Sequence, residues 1–260
     1  MLFRSWNERR ERARALLAGK GCVHPGSVYD ALSARIAEEL GFEVGIFSGS
    51  IASLTVLGAP DLTVLTLSEF AGQAYRICRA GNLALLVDAD HGYGNALNVR
   101  RTVEELESAG VSILSIEDTL LPAAFGAGDK AQLLSIAEGV GKMRAAVDAR
   151  QDRKLIIVGR TSAVAISNVD DAIARGRAYE AAGVDALFFT NVKTRAQLDA
   201  IAGAVKLLYV QTNQRFQIAA RERLQYRLVE REIGVGVAIR AGKMRHAAAR
   251  HHHCAYLQRA

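Results

Sequence analysis

The chain has 260 residues, half of them apolar, with 33 Lys/Arg against 27 Asp/Glu and only three prolines. That length suits one large α/β domain, since barrels of this class take about 250 residues, and no apolar run approaches the roughly 18 residues of a membrane span. The net charge of +6 is local: residues 213–260 hold ten of the basic and three of the acidic groups, leaving 23 and 24 in residues 1–212, a near-neutral body that argues against a nucleic-acid surface.

In chain order, residues 1–20 mix arginines with Glu8 and Glu11 where a secretory leader needs an apolar stretch; a surface helix is expected there. From 21 to 211 short apolar runs alternate with helix-period segments. Strands are expected at 22–24, 44–48, 83–88, 112–117, 155–160, 186–190 and 207–211, and helices at 31–40, 68–79, 96–109, 136–149, 169–182 and 194–202. Gly41, Gly110 and Gly183 fall where left-handed residues end helices. Continuous apolar strands between helices predict a parallel sheet covered on both faces. Seven in sequence, with no G-x-G-x-x-G after the first, predict a (β/α)8 TIM barrel rather than a doubly wound dinucleotide fold. After Gln211 the pattern decays into an arginine-rich stretch (213–231), a weak eighth strand (235–239) and a basic, histidine-bearing end. Residues 1–211 are therefore expected to form the barrel with its catalytic rim, and 212–260 a divergent, disordered basic segment of the same domain. Cys22, Cys78 and Cys254 lack metal-type spacing, which predicts reduced thiols in a cytoplasmic protein.

Catalytic groups of such barrels lie at the C-terminal strand ends. Strand two ends in Ser48-Gly49-Ser50, strand three in Asp88-Ala89-Asp90 followed by His91-Gly92-Tyr93-Gly94-Asn95, strand four in Glu117-Asp118 and strand five in Arg160-Thr161. With Asp61 from the loop after strand two, the carboxylates Asp61, Asp88, Asp90 and Glu117 converge on one rim. Carboxylates gathered this way stay ionised together only around a cation. Oxygen-only ligands favour Mg²⁺ or Mn²⁺ over zinc, with Asp88 as the direct ligand. Asp61 reads equally as a solvated loop residue, Asp118 as a helix cap or solvated residue, and His91 as a structural residue rather than a base.

The Ser48-Gly49-Ser50, Asp88-to-Asn95, Ser115-Ile116-Glu117-Asp118, Glu138-Gly139-Val140-Gly141-Lys142 and Val158-Gly159-Arg160-Thr161 segments resemble the isocitrate lyase/phosphoenolpyruvate mutase superfamily over roughly residues 20–205. The resemblance implies a Mg²⁺ ion at the top of the barrel, held directly by Asp88 and through water by Asp61, Asp90 and Glu117. It implies that Gly49 and Ser50 meet a keto acid and that Arg160 pairs with its carboxylate. The superfamily's lyases and mutases carry a Lys-Lys/Arg-Cys-Gly loop after strand four; here 118–126 has no cysteine or lysine, which resembles the oxaloacetate decarboxylase branch. The expected activity is Mg²⁺-dependent conversion of oxaloacetate, or a close β-keto acid, to pyruvate and CO₂ through a metal-stabilised enolate. Another carbon–carbon or carbon–phosphorus lyase or hydrolase of the superfamily, or an inactive Mg²⁺/dicarboxylate binder, stays open. A homo-oligomer without membrane or nucleic-acid partners is implied. The branch's Gly-His after strand eight has no counterpart after Gln211, and a replaced or frame-shifted C-terminus is expected.

Overall fold

A computed structural model describes residues 5–19, 23–123, 131–207 and, in backbone only, 209–211. Seven strands lie in one sheet in chain order: β1 (Gly26–Ser27), β2 (Val44–Phe47), β3 (Ala84–Asp88), β4 (Ile113–Glu117), β5 (Ile156–Thr161), β6 (Ala186–Phe189) and β7 (Tyr209–Gln211). Each pairs in parallel with the next. A doubly wound sheet reverses its order at a switch point; this one does not, and the order is that of a (β/α) barrel wall. The sequence-predicted eighth strand, the arginine-rich 213–231 stretch and the whole 212–260 segment lie outside the described residues.

Helices α2 (Ala31–Glu39), α4 (Leu67–Ala80), α5 (Ala96–Ser108), α6 (Ile136–Ala149), α8 (Val169–Ala182) and α9 (Arg195–Ala204) alternate with the strands, as their apolar periodicity predicts. Their starts are written in the sequence: Asp30, Thr66, Asn95 and Thr194 each close a capping box, satisfying first-turn N–H groups that the helix itself leaves open. Two short pieces at the tops of strands were not foreseen. These are α3 (Gly49–Ala52), continued by a π-helical turn over Ser53–Leu57, and α7 (Ala163–Ile166). Four residues are too few to display a helical period.

Two expectations are corrected. Residues 23 and 24 are not strand, and the first strand is Gly26–Ser27, because Pro25 has no N–H to give a ladder and pairing starts only beyond it. Residues Trp6–Ala18 do form a helix, α1, yet not a simple surface one: Arg9, Arg10, Ala13 and Leu17 are buried. Ala13 and Leu17 join the apolar cluster inside the barrel and close its N-terminal end. The arginines serve the strand starts. Arg10 donates to the carbonyls of Val111 (2.9 Å) and Glu107 (2.6 Å) and to Asp152 (3.0 Å), and Arg14 donates to Asp185 (2.8 Å) just before β6. Backbone acceptors at the floor, which would otherwise be buried without partners, are thereby satisfied. Among the described residues no helix is long and apolar enough to cross a membrane. Cys78 is buried and free, its thiol pushed up to about 12 by burial; Cys22 and Cys254 lie outside the described residues.

Candidate active site

Side chains alternate along a strand, and the alternation builds the site. One set of strand residues, including Leu85, Val87, Leu114, Ile116, Leu187 and Phe189, packs in the core shared with the helices. The other set, Val44, Ile46, Ala84, Leu86, Ile113, Ile156, Val158, Ala186 and Phe188, fills the barrel interior above α1. Continuing that inner set by two residues towards each C-terminal end replaces apolar residues with Ser48, Asp88, Ser115 then Glu117, and Arg160. The interior is thus apolar below and ionic at the top.

Parallel register brings these groups together: Asp88 lies opposite Ser115, and Glu117 opposite Arg160. Arg160 Nη1 donates to Asp88 Oδ2, and its Nε lies 3.4 Å from Glu117 Oε2. The guanidinium also stands 5.3 Å over the Phe188 ring, a cation–π placement that fixes its plane. Ser115 Oγ donates to Asp88 Oδ1 (2.9 Å), and Thr119 Oγ1 donates to Glu117 Oε2 (3.1 Å). The sequence placed Ser115 in a family segment without a role and did not single out Thr119. Their signal is the inner-face position two residues from Glu117 on either side.

Asp90 enters from the turn after β3. Its φ of +46° is left-handed, as are those of Gly92 (+71°), Tyr93 (+60°) and Gly94 (+145°), so the chain coils tightly above the strand end. Its carboxylate rests on the backbone of Gly49, where a Cβ would lie 2.5 Å from both oxygens. That contact explains why strand two ends in Ser-Gly-Ser. Burial first, and the neighbouring Asp88 charge second, push the Asp90 carboxyl up to about 8. Burial also raises Glu117 above the usual carboxylate range, against the downward pull of Arg160. Asp61 is exposed on the loop after the π-turn, near enough that its charge adds to the pressure on Asp90. Ser50 is exposed at the rim, its Oγ 3.3 Å from Ser48 Oγ. His91 is buried, and burial with the Lys142 charge lowers it to about 4, so it is a neutral imidazole.

Asp118 is neither a cap nor solvated. It is fully buried, its Oδ2 accepting from Thr161 Oγ1 (2.9 Å), Arg175 Nη1 (2.9 Å) and Tyr179 OH (2.6 Å). Its backbone carbonyl accepts from Leu134 N, and Leu120 N donates to Gln132 O, so the loop after β4 is closed at its base. Residues 124–130 of that loop lie outside the described residues.

The chemistry of the rim fits a hard divalent cation. Its donors are carboxylate and hydroxyl oxygens, and a carboxyl whose proton affinity is raised by burial and by neighbouring acids becomes an anion readily only when positive charge arrives. Among the described residues no three His, Cys, Asp or Glu side chains converge closely enough to enclose an ion unaided. Mg²⁺ does not need such a cage, since it keeps several waters and takes one or two direct carboxylates.

The phosphoenolpyruvate phosphomutase family model matches residues 14–252. The oxaloacetate decarboxylase of Bradyrhizobium diazoefficiens is 63% identical over 207 residues, 80% of this chain and 70% of the relative. That of Rhodopseudomonas palustris strain BisA53 is 63% identical over 203 residues, 78% of this chain and 70% of the relative. Among solved structures, an oxaloacetate acetylhydrolase with the inhibitor 3,3-difluorooxalacetate superposes with a TM-score of 0.72 at 29% identity, over 78% of this chain and 71% of that one. A phosphonopyruvate hydrolase solved with oxalate and Mg²⁺ gives 0.69 at 30% identity over the same shares. Fold, strand-end residues and relatives agree, and the chain belongs to the phosphoenolpyruvate phosphomutase family, in the PEP mutase/isocitrate lyase superfamily.

Proposed function

We propose that the chain is a Mg²⁺-dependent oxaloacetate decarboxylase, forming pyruvate and CO₂. The observation that carries this reading is the ionic layer of Asp88, Glu117 and Arg160, with Asp90 above it, in a chain 63% identical to proteins named for that activity. Asp88 would hold the ion directly, and Asp61, Asp90 and Glu117 through water. When bound, Mg²⁺ supplies the counter-charge for the negative charge that grows on the C2 keto oxygen as the C3–C4 bond breaks.

The protein's own groups do the rest. Arg160 binds a substrate carboxylate, a role its planar five-donor fork suits. Its contacts with Asp88, Glu117 and the Phe188 ring support this by holding the guanidinium in the acid layer. Ser50, at the rim, donates its hydroxyl to the keto oxygen, and a donor aimed at developing charge favours the transition state over the ground state. The apolar layer beneath, with Phe188 at its top, excludes water from below and strengthens each of these interactions. The electron pair of the C3–C4 bond passes towards C2, CO₂ departs, and C3 takes a proton to complete pyruvate.

The test is pyruvate formation from oxaloacetate with Mg²⁺, with and without EDTA, against a no-enzyme control that measures the free ion's own catalysis. Activity above that control, lost with EDTA and in Asp88→Ala, is the expected result. Oxalate and acetate are measured in the same reaction. Their appearance in place of pyruvate would replace decarboxylation with hydrolysis, and rates equal to the control would leave a binding protein.

A further inference from the structure

Lys142 on α6 is 1% exposed, among the largest fully buried side chains of the chain. A buried ammonium is costly unless a partner answers it, and among the described residues no carboxylate lies in ion-pair distance. Its Nζ instead donates to the backbone carbonyl of His91 and lies 3.4 Å from the carbonyl of Glu117. These two carbonyls belong to the two chain segments that carry the acids. His91 is the residue after Asp90, and Glu117 is itself an acid of the rim.

The same two segments are also joined through backbone, beside the Ser115 Oγ to Asp88 bond. Glu117 N donates to Asp90 O (2.8 Å), and Ala89 N donates to Ser115 O (3.0 Å). Between these links Asp90 holds a left-handed φ that a non-glycine residue adopts at a cost, and such a conformation persists only where its surroundings fix it. The Lys142 ammonium supplies that restraint through its bonds to the His91 and Glu117 carbonyls.

We propose that Lys142 is a positioning residue for the metal centre. Through the carbonyls of His91 and Glu117 it locks the 89–92 turn onto the end of β4, and so fixes the separation of the Asp90 and Glu117 carboxylates that share the ion's water shell. This rests on the reading of the rim as a Mg²⁺ site. It assigns the motif around Lys142 a role that an exposed helical lysine could not have.

The test measures Mn²⁺ binding by electron paramagnetic resonance on the purified full chain, for wild type, Lys142→Met, Lys142→Gln and Asp88→Asn, with circular dichroism confirming the fold. Methionine matches the volume and removes both donor and charge; glutamine keeps a donor without charge. Wild type binds, Asp88→Asn does not, and Lys142→Met weakens binding by about 10–100-fold, the scale of losses when groups that orient metal ligands are removed. Lys142→Gln falls between. Wild-type affinity in a folded Lys142→Met or Lys142→Gln overturns the inference while leaving the metal site standing. Failure of both variants to fold would assign Lys142 to the core alone and overturns it too. Absence of Mn²⁺ binding by the wild type would sink the rim reading itself, which the other outcomes leave intact.

Discussion

Gly49→Ala is the sharpest test of how the rim is built. The added Cβ would sit 2.5 Å from Asp90 Oδ1 and Oδ2 and 2.8 Å from Cγ, where ordinary contact begins at 3.4 Å. The carboxylate must therefore retreat by about 0.9 Å, because a close-packed interior offers no slack to absorb the overlap. The backbone itself does not object: Gly49 opens α3 with no left-handed φ, and alanine in a helix gains about 1 kcal/mol over glycine. Overpacking costs about 1–3 kcal/mol, so the net loss of stability is at most about 2 kcal/mol, or a Tm lower by no more than about 8 °C in a chain of this size. Catalysis should suffer far more, since a displacement of about 1 Å in a reacting constellation lowers the rate by about 100-fold. The assay is kcat/KM for oxaloacetate across a Mg²⁺ titration, beside a melting curve. Gly72→Ala on α4 is the control, because a Cβ there meets nothing nearer than Arg76 Nη1 at 4.0 Å. If Gly49→Ala keeps wild-type activity at every Mg²⁺ concentration, Asp90 is not part of the machinery and the rim has been misassembled.

Three other outcomes are expected. The Asp90 carboxyl is raised from 3.8 to about 8, so the folded chain holds a proton there that the unfolded chain has lost. Its stabilising contribution is full below its ordinary value and disappears as the pH climbs to about 8. Mg²⁺ should answer the exposed charge, giving a larger Tm increase at about pH 8 than at about pH 5.5; equal increments would contradict this. Arg160→Lys loses the fork that spans Asp88 and Glu117 and should raise KM for oxaloacetate about tenfold or more, the scale of a lost charge-assisted hydrogen bond; an unchanged KM would remove Arg160 from substrate binding. Asp118→Asn strips the charge from a buried acceptor serving Thr161, Arg175 and Tyr179 and should cost about 3 kcal/mol or more, read in a urea melt whose unaltered midpoint would show the network to be dispensable.

The strand ends could be read from the sequence because a barrel couples one-dimensional pattern to three-dimensional place. Once β3, β4 and β5 are recognised as buried strands, Asp88, Glu117 and Arg160 must share the top of the interior. What escaped had a different cause in each case. Arg9, Arg10 and Lys142 carry charges that composition assigns to solvent, and only the fold shows that backbone carbonyls receive them. Asp118 follows the rim acid Glu117 by one residue, so alternation turns it outward from the interior and into contact with α8. The four-residue helices α3 and α7 are too short for any period. Gly49 was expected beside the substrate, while its contact with Asp90 depends on two loops meeting in space.

The two faces of β4 also explain how one strand end can be charged and rigid at once. Glu117 points into the ionic layer, where burial raises its proton affinity and Arg160 opposes that rise. Asp118, turned the other way, is clamped by three donors from β5 and α8. A carboxylate whose neighbour in sequence is immobilised cannot relax when a nearby acid changes charge, so electrostatic pressure stays within the cluster instead of being relieved by motion. On the β3 side the left-handed turn at Asp90 is packed against Gly49 and tied by the Lys142 bond to the His91 carbonyl. An acid layer held in this way keeps its charges crowded, and crowding of carboxylates is relieved by a divalent cation more strongly as pH rises and they ionise.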